Sequence, residues 1–156
     1  MGGVGVLEVF APLFGHWQGT EKLSASPWST AGNARAALTF RAEIGGAAVV
    51  NDYRQVREDG SEFLAHGVFL VDGDGPGSDD QGVSWWLFDT YALPPVTAIG
   101  GWREGSLVQT KTTERGSAEH RFGRDGEDLV YAIDLTLGDA GPQPFLRGRY
   151  RAVSAH

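Results

Sequence analysis

The stretch Leu129–Leu137, which reads LVYAIDLTL, alternates large apolar side chains with smaller or polar ones. Successive side chains of a β-strand point to opposite faces, so this alternation predicts a strand with one buried face and one solvent-facing face. The stretch Arg35–Ile44 has the same two-residue period. Period-two patterning therefore assigns the chain to the all-β class.

Turn signals on both sides of this stretch separate nine more strands, because Gly, Asp, Asn and Pro recur between the alternating segments. The predicted strands are His16–Ala25, Arg35–Ile44, Ala47–Arg57, Glu62–Asp72, Val83–Tyr91, Thr97–Arg103, Leu107–Glu114, Ala118–Arg124, Asp128–Leu137 and Phe145–Val153. Apolar residues at three- and four-residue spacing before the first strand predict a short helix that ends near Pro12. Short strands joined by tight turns predict a single up-and-down antiparallel β-barrel of about ten strands, with residues 1–156 as one domain.

Composition excludes several classes of protein. The chain has 156 residues, no Cys and a formal net charge of −7. Without Cys there is no disulfide scaffold, no cysteine-ligated zinc or iron–sulfur site and no thiol nucleophile. A net negative charge argues against binding nucleic acid through its phosphates. No apolar stretch approaches the roughly 20 residues of a membrane span, and the N-terminus lacks a secretory signal pattern.

From these absences we expect a cytoplasmic protein with no nucleic-acid or membrane partner. No spacing of His, Asp or Glu suggests a metal site, so no metal and no cofactor are predicted. The oligomeric state is left open, with a homodimer as one alternative.

A short motif, Gly15–Gly19 (GHWQG), opens the first predicted strand. Gly-x-Trp at this place resembles the calycin signature of lipocalins and fatty-acid-binding proteins. The longer Gly-x-Trp-x-Gly resembles nitrobindins and related lipocalin-like bacterial proteins of unknown function. Three further stretches also resemble those lipocalin-like bacterial proteins: His66–Phe69 (HGVF), Trp85–Asp89 (WWLFD) and Gly148–Arg151 (GRYR).

The resemblance implies a barrel in which Trp17 closes one end beneath an arginine of the last strand, Arg149 or Arg151. In nitrobindins a His near the start of the last strand holds haem, and Phe145 stands at that position here. A divergent haem protein that uses another residue is therefore a third functional hypothesis.

A barrel of about ten strands is wide enough for an interior cavity, which we expect to measure several hundred Å³. Tyr suits such a cavity because it combines an apolar ring with a hydroxyl group, and His because its unperturbed pKa of about 6.5 lies close to neutral. Adjacent Trp85 and Trp86 must face opposite sides of the sheet. The predicted ligand-binding residues are Tyr53, His66, Trp86, Asp89, His120 and Tyr131, and Glu21, Asn51 and Gln55 are further inward candidates.

Two functions fit these residues. The leading hypothesis is binding of a small apolar or aromatic molecule inside the barrel. The alternative is a small barrel enzyme, such as an isomerase, cyclase or hydrolase, in which His66 and Asp89 form an acid/base pair.

Overall fold

Ten antiparallel strands close into one barrel, in which neighbours in sequence pair and the last strand returns to the first. The structure, a computed structural model, describes residues 6–27, 29–71, 82–90 and 97–154. The strands are β1 (Gly15–Leu23), β2 (Gly32–Glu43), β3 (Ala48–Arg57), β4 (Glu62–Val71), β5 (Gly82–Asp89), β6 (Thr97–Arg103), β7 (Ser106–Thr113), β8 (Gly116–Asp125), β9 (Asp128–Leu137) and β10 (Gln143–Val153). Helix α1 (Val6–Val9) and a 3-10 turn (Ala11–Leu13) precede β1.

The predicted all-β class, the ten-stranded up-and-down barrel and the short helical lead-in are thereby confirmed. The predicted ends of the fourth strand at Asp72 and of the fifth at Tyr91 lie outside the described residues.

Strand register decides which side chains face the interior. Leu38 of β2 lies opposite Tyr53 of β3, Tyr53 lies opposite Ala65 of β4, and Ala65 lies opposite Asp89 of β5. Because cross-strand partners share a face of the sheet, these four residues all face inward. The same alternation places the odd-numbered residues of β1, β7 and β9 and the even-numbered residues of β8 and β10 inside.

One end of the barrel is closed by the segment before β1. Leu13 is completely buried, and its carbonyl oxygen accepts a hydrogen bond of 2.9 Å from Trp17 Nε1. The guanidinium of Arg124 lies 5.1 Å from the centre of the Trp17 ring, a cation–π contact. The expectation that Arg149 or Arg151 covers Trp17 is wrong, because both residues face outward from β10. Arg149 binds Asp128 on the outer wall instead.

At the opposite end the inward-facing side chains of the described strands are less buried. Half-buried inward-facing side chains near it include Phe63, Ala65, Leu87, Asp89, Lys111, Ala118 and Leu135. Since these side chains face the interior of a closed barrel, we infer that water reaches them through this end. Across the described ranges, none of the helices has the length and apolar character needed to cross a membrane.

Candidate functional site

A buried carboxylate lies inside the barrel. Glu21 is 3% exposed and accepts hydrogen bonds from Tyr53 Oη (2.6 and 2.7 Å to its two oxygens), from Gln55 Nε2 (2.8 Å) and from Tyr150 Oη. Burial raises the pKa of Glu21 above its usual value, although these hydrogen bonds and the charge of Arg57 oppose the shift. Burial and the neighbouring carboxylate also raise the pKa of Tyr53 and of Tyr150 well above 10, so both hydroxyls remain protonated donors.

A second polar pair lies next to this carboxylate. His120 Nδ1 and Tyr131 Oη are hydrogen-bonded at 2.6 Å, and both residues are buried. Burial lowers the pKa of His120 to about 3, with a smaller contribution from the charge of Lys111, so the imidazole is neutral at physiological pH. The rings of Tyr53 and Tyr131 meet edge to face at 6.1 Å and so connect the pair to the Glu21 cluster.

The polar groups continue across the barrel to β3 and β5. Trp85 lies edge-on to the His120 ring at 5.0 Å, and its Nε1 donates to Asn51 Oδ1 at 3.1 Å. We call the connected set the inner polar layer. It consists of Glu21, Asn51, Tyr53, Gln55, Trp85, His120, Tyr131 and Tyr150.

Two motif glycines make room for this layer. A Cβ on Gly148 would lie 2.0 Å from Tyr150 Oη, so any other residue there would displace the hydroxyl that reaches Glu21. A Cβ on Gly67 would lie 2.2 Å from both Asn51 Oδ1 and Trp85 Nε1. The motifs HGVF and GRYR thus contain a glycine because a polar side chain of the interior occupies the space that a Cβ would need.

The structure brings Tyr53, His120 and Tyr131 together in the inner polar layer. Asp89 also faces inward, half-buried at the open end. It lies above the layer and not within it.

His66 and Trp86 are placed outside the barrel, which corrects two predictions. His66 lies opposite Phe88, and its Nδ1 is 2.6 Å from Asp52 Oδ1 on the outer wall. The predicted pair of His66 with Asp89 does not form because the two residues face opposite sides of the sheet. The hypothesis of a barrel enzyme with His66 and Asp89 as its acid/base pair is therefore not supported.

The tryptophan that faces the interior is Trp85. It is 1% exposed and stacks on Phe69 with ring centres 5.0 Å apart. Trp86 lies opposite Val68 with its side chain on the outer face.

The sequence reasoning missed Tyr150 and Gln109. Tyr150 shares a face with the buried Leu146, and the two-residue period of the strand could have predicted that Tyr150 faces the interior. Gln109 is completely buried on β7, and its Nε2 donates to the carbonyl oxygen of Val83 at 2.8 Å. Within the described part of the chain its Oε1 has no hydrogen-bond partner.

Two open grooves lie on the outer wall. The larger, about 1000 Å³, is bounded mainly by outward-facing residues of β1, β2, β8, β9 and β10. The smaller, about 570 Å³, lies beside His66 and Phe88. Neither groove is the expected interior cavity, whose volume stays a prediction.

Phe145 lies on β10 beside an irregularity between Pro144 and Leu146, half-buried and packed against the core. Its side chain has no donor atom, so this position does not fit the haem iron of a nitrobindin. In the described ranges no group of three or more His, Asp or Glu residues is arranged to hold a metal ion.

Comparison with known proteins identifies the fold. No family model and no curated protein matches the chain. The structure is similar to that of Rv2717c from M. tuberculosis, with a TM-score of 0.75 and 15% identity, covering 97% of this chain and 99% of that one. It is also similar to the S-type phycobiliprotein lyase CPES from Guillardia theta, with a TM-score of 0.68 and 8% identity, covering 98% of this chain and 95% of that one. At these identities the likeness concerns the fold alone, which is a closed barrel of ten antiparallel strands.

Proposed function

We propose that this protein binds a small, largely apolar or aromatic molecule, which enters the barrel at the open end. One observation carries the proposal: half-buried apolar side chains line the interior above a buried layer of hydroxyl, amide and imidazole groups. Apolar walls with a few convergent polar groups are typical of small-molecule sites. A barrel built for stability alone is served by an apolar core, because each buried polar group must be hydrogen-bonded to avoid a desolvation penalty.

The walls and the layer have different roles in this proposal. Phe63, Leu87 and Leu135 offer apolar surface at the open end, and burial of that surface provides most of the affinity. The His120–Tyr131 pair is neutral and can exchange hydrogen bonds with an uncharged polar group of the ligand.

The fold comparisons support the proposal at a coarser level. A barrel of similar shape belongs to a protein named as a phycobiliprotein lyase, so this architecture hosts functional sites. Among calycin-like barrels, we place the chain with the nitrobindin-related bacterial proteins on the motifs GHWQG and GRYR, without haem ligation at Phe145.

Native mass spectrometry of the purified protein, followed by titration with N-phenyl-1-naphthylamine, tests the proposal. This neutral apolar probe gains fluorescence when it leaves water. We expect saturable binding at one site per chain. Leu135→Trp, which fills the open end from the inner face of β9, should weaken binding at least about tenfold, or 1.4 kcal/mol.

Thr136→Trp is the matched control, since it adds the same ring to the outer face of the same strand. Equal binding by both variants, or no saturable binding by the wild type, would contradict an interior site.

A further inference from the structure

Lys111 is a cation on the inner wall of the open end. It follows Leu107 and Gln109 on the inward face of β7, lies opposite Ala118 of β8 and is half-buried. Its charge also contributes to lowering the pKa of the buried His120. Lysine usually keeps its charge in water while its apolar stem covers a wall, which suits this position near the mouth.

No ion pair or hydrogen bond to Lys111 occurs among the residues that the structure describes. The other inward-facing charges of the described strands have contacts of their own, and these include Asp89 at the same end of the barrel. Three neutral donors bind Glu21, Arg57 donates to the carbonyl oxygen of Thr30, and Arg124 covers Trp17. A half-buried ammonium that forms no ion pair within the described residues is available to an anion from outside the chain.

Glu21 determines how such an anion would lie. Its carboxylate sits deeper in the barrel and repels a second negative charge there. The neutral His120 offers no positive charge in the layer. An anionic group is therefore disfavoured in the layer, and at the mouth it is favoured beside Lys111 of β7 and not beside Asp89 of β5, with the apolar part of the same molecule directed inward.

We propose that the ligand of the interior site carries one anionic group, such as a carboxylate, sulfonate or phosphate, which pairs with Lys111 at the open end while its apolar body lies against Ala118 and Leu135. This inference rests on the proposed function. It assigns Lys111 as the residue that selects anionic over neutral ligands.

Two fluorescent probes that differ by one group test the inference: 1-anilinonaphthalene-8-sulfonate, and N-phenyl-1-naphthylamine, which lacks the sulfonate. Only the binding that is weakened in Leu135→Trp is assigned to the interior. Probe bound to the outer wall therefore does not contribute to the affinity that is compared. Lys111→Met should weaken the sulfonate probe about fivefold, as expected for a partly exposed ion pair, and leave the neutral probe unchanged. Added salt should weaken binding of the sulfonate probe to the wild type and have little effect on Lys111→Met.

Lys22→Met is the matched control, because Lys22 is the other lysine of the chain and is exposed on the outer face of β1. It should leave both affinities unchanged. Lys111→Gln serves as a second neutral variant, and circular dichroism confirms that each variant folds.

The outcomes separate the two proposals. If the neutral probe binds inside and Lys111→Met leaves the sulfonate probe unaffected, or if the wild type rejects the sulfonate probe, the role of Lys111 is overturned and the interior site remains. If neither probe binds inside, both proposals fail.

Discussion

Lowering the pH should destabilise the barrel through His120, and replacing this residue should remove that part of the acid response. In the folded protein burial holds the pKa of His120 at about 3, against 6.5 for the unperturbed side chain. Below 6.5 the unfolded chain therefore binds a proton that the folded chain rejects, and protonation favours the unfolded state. The stability that His120 contributes is complete above 6.5 and is lost as the pH falls towards 3.

The magnitude follows from the two pKa values. Each pH unit in this window is worth about 1.36 kcal/mol, so lowering the pH from about 7.5 to about 4.5 should cost on the order of 2–3 kcal/mol. Glu21 acts in the opposite direction, because its pKa is raised in the folded state. As the pH falls through the folded pKa of Glu21, the folded protein takes up a proton and is stabilised relative to the unfolded chain.

Comparison of the wild type with His120→Gln separates the pH dependence of stability that comes from His120 from the part that comes from Glu21. Urea unfolding followed by tryptophan fluorescence at several pH values gives the free energy of unfolding of each protein. The difference between the two proteins should shrink by on the order of 2–3 kcal/mol between about pH 7.5 and pH 4.5, because only the wild type loses the His120 contribution. His16→Gln, at an exposed position on β1, is the control and should track the wild type. A pH-independent difference for His120→Gln would show that His120 is not a buried neutral imidazole.

Further predictions test the layer and the placement of His66. Gly67→Ala adds a Cβ 2.2 Å from both atoms of a buried hydrogen bond and should lower the free energy of unfolding by about 2 kcal/mol, whereas Gly32→Ala, with no atom within 4 Å, should change it little. Tyr150→Phe removes one donor to the buried carboxylate of Glu21 and should cost about 1–3 kcal/mol in thermal or urea unfolding; an unchanged stability would mean that this hydroxyl is not needed. His66→Ala alters only the outer wall, so interior binding of N-phenyl-1-naphthylamine should stay unchanged and stability should fall by less than about 1 kcal/mol.

Much of the inner polar layer could be anticipated from single strands. In β9 the apolar residues Leu129 and Ile133 alternate with Val130 and Ala132, which are smaller, and Tyr131 falls on the apolar face. The inward position of Tyr131 follows from that contrast. The approach of Glu21 to tyrosines of β3 and β10 could not be read in the same way, because those residues meet only when the sheet closes.

The failures occurred where both faces of a strand are apolar. In β4, Leu64 and Val68 alternate with Phe63 and Phe69, so the pattern does not say which face is buried, and His66 could be assigned to either. In β5 the adjacent tryptophans present the same ambiguity. Alternation identifies a strand in such segments but not its orientation.

The sequence by itself determined the ten strands, their order and the up-and-down barrel, because two-residue periodicity and turn residues are local properties of the chain. Only the tertiary structure decided which faces of β4 and β5 turn inward. Barrel closure pairs Tyr53 with Ala65 and Ala65 with Asp89. That register turns Trp85 inward and leaves His66 outside, because a strand that pairs with both neighbours can present only one of its faces to the interior.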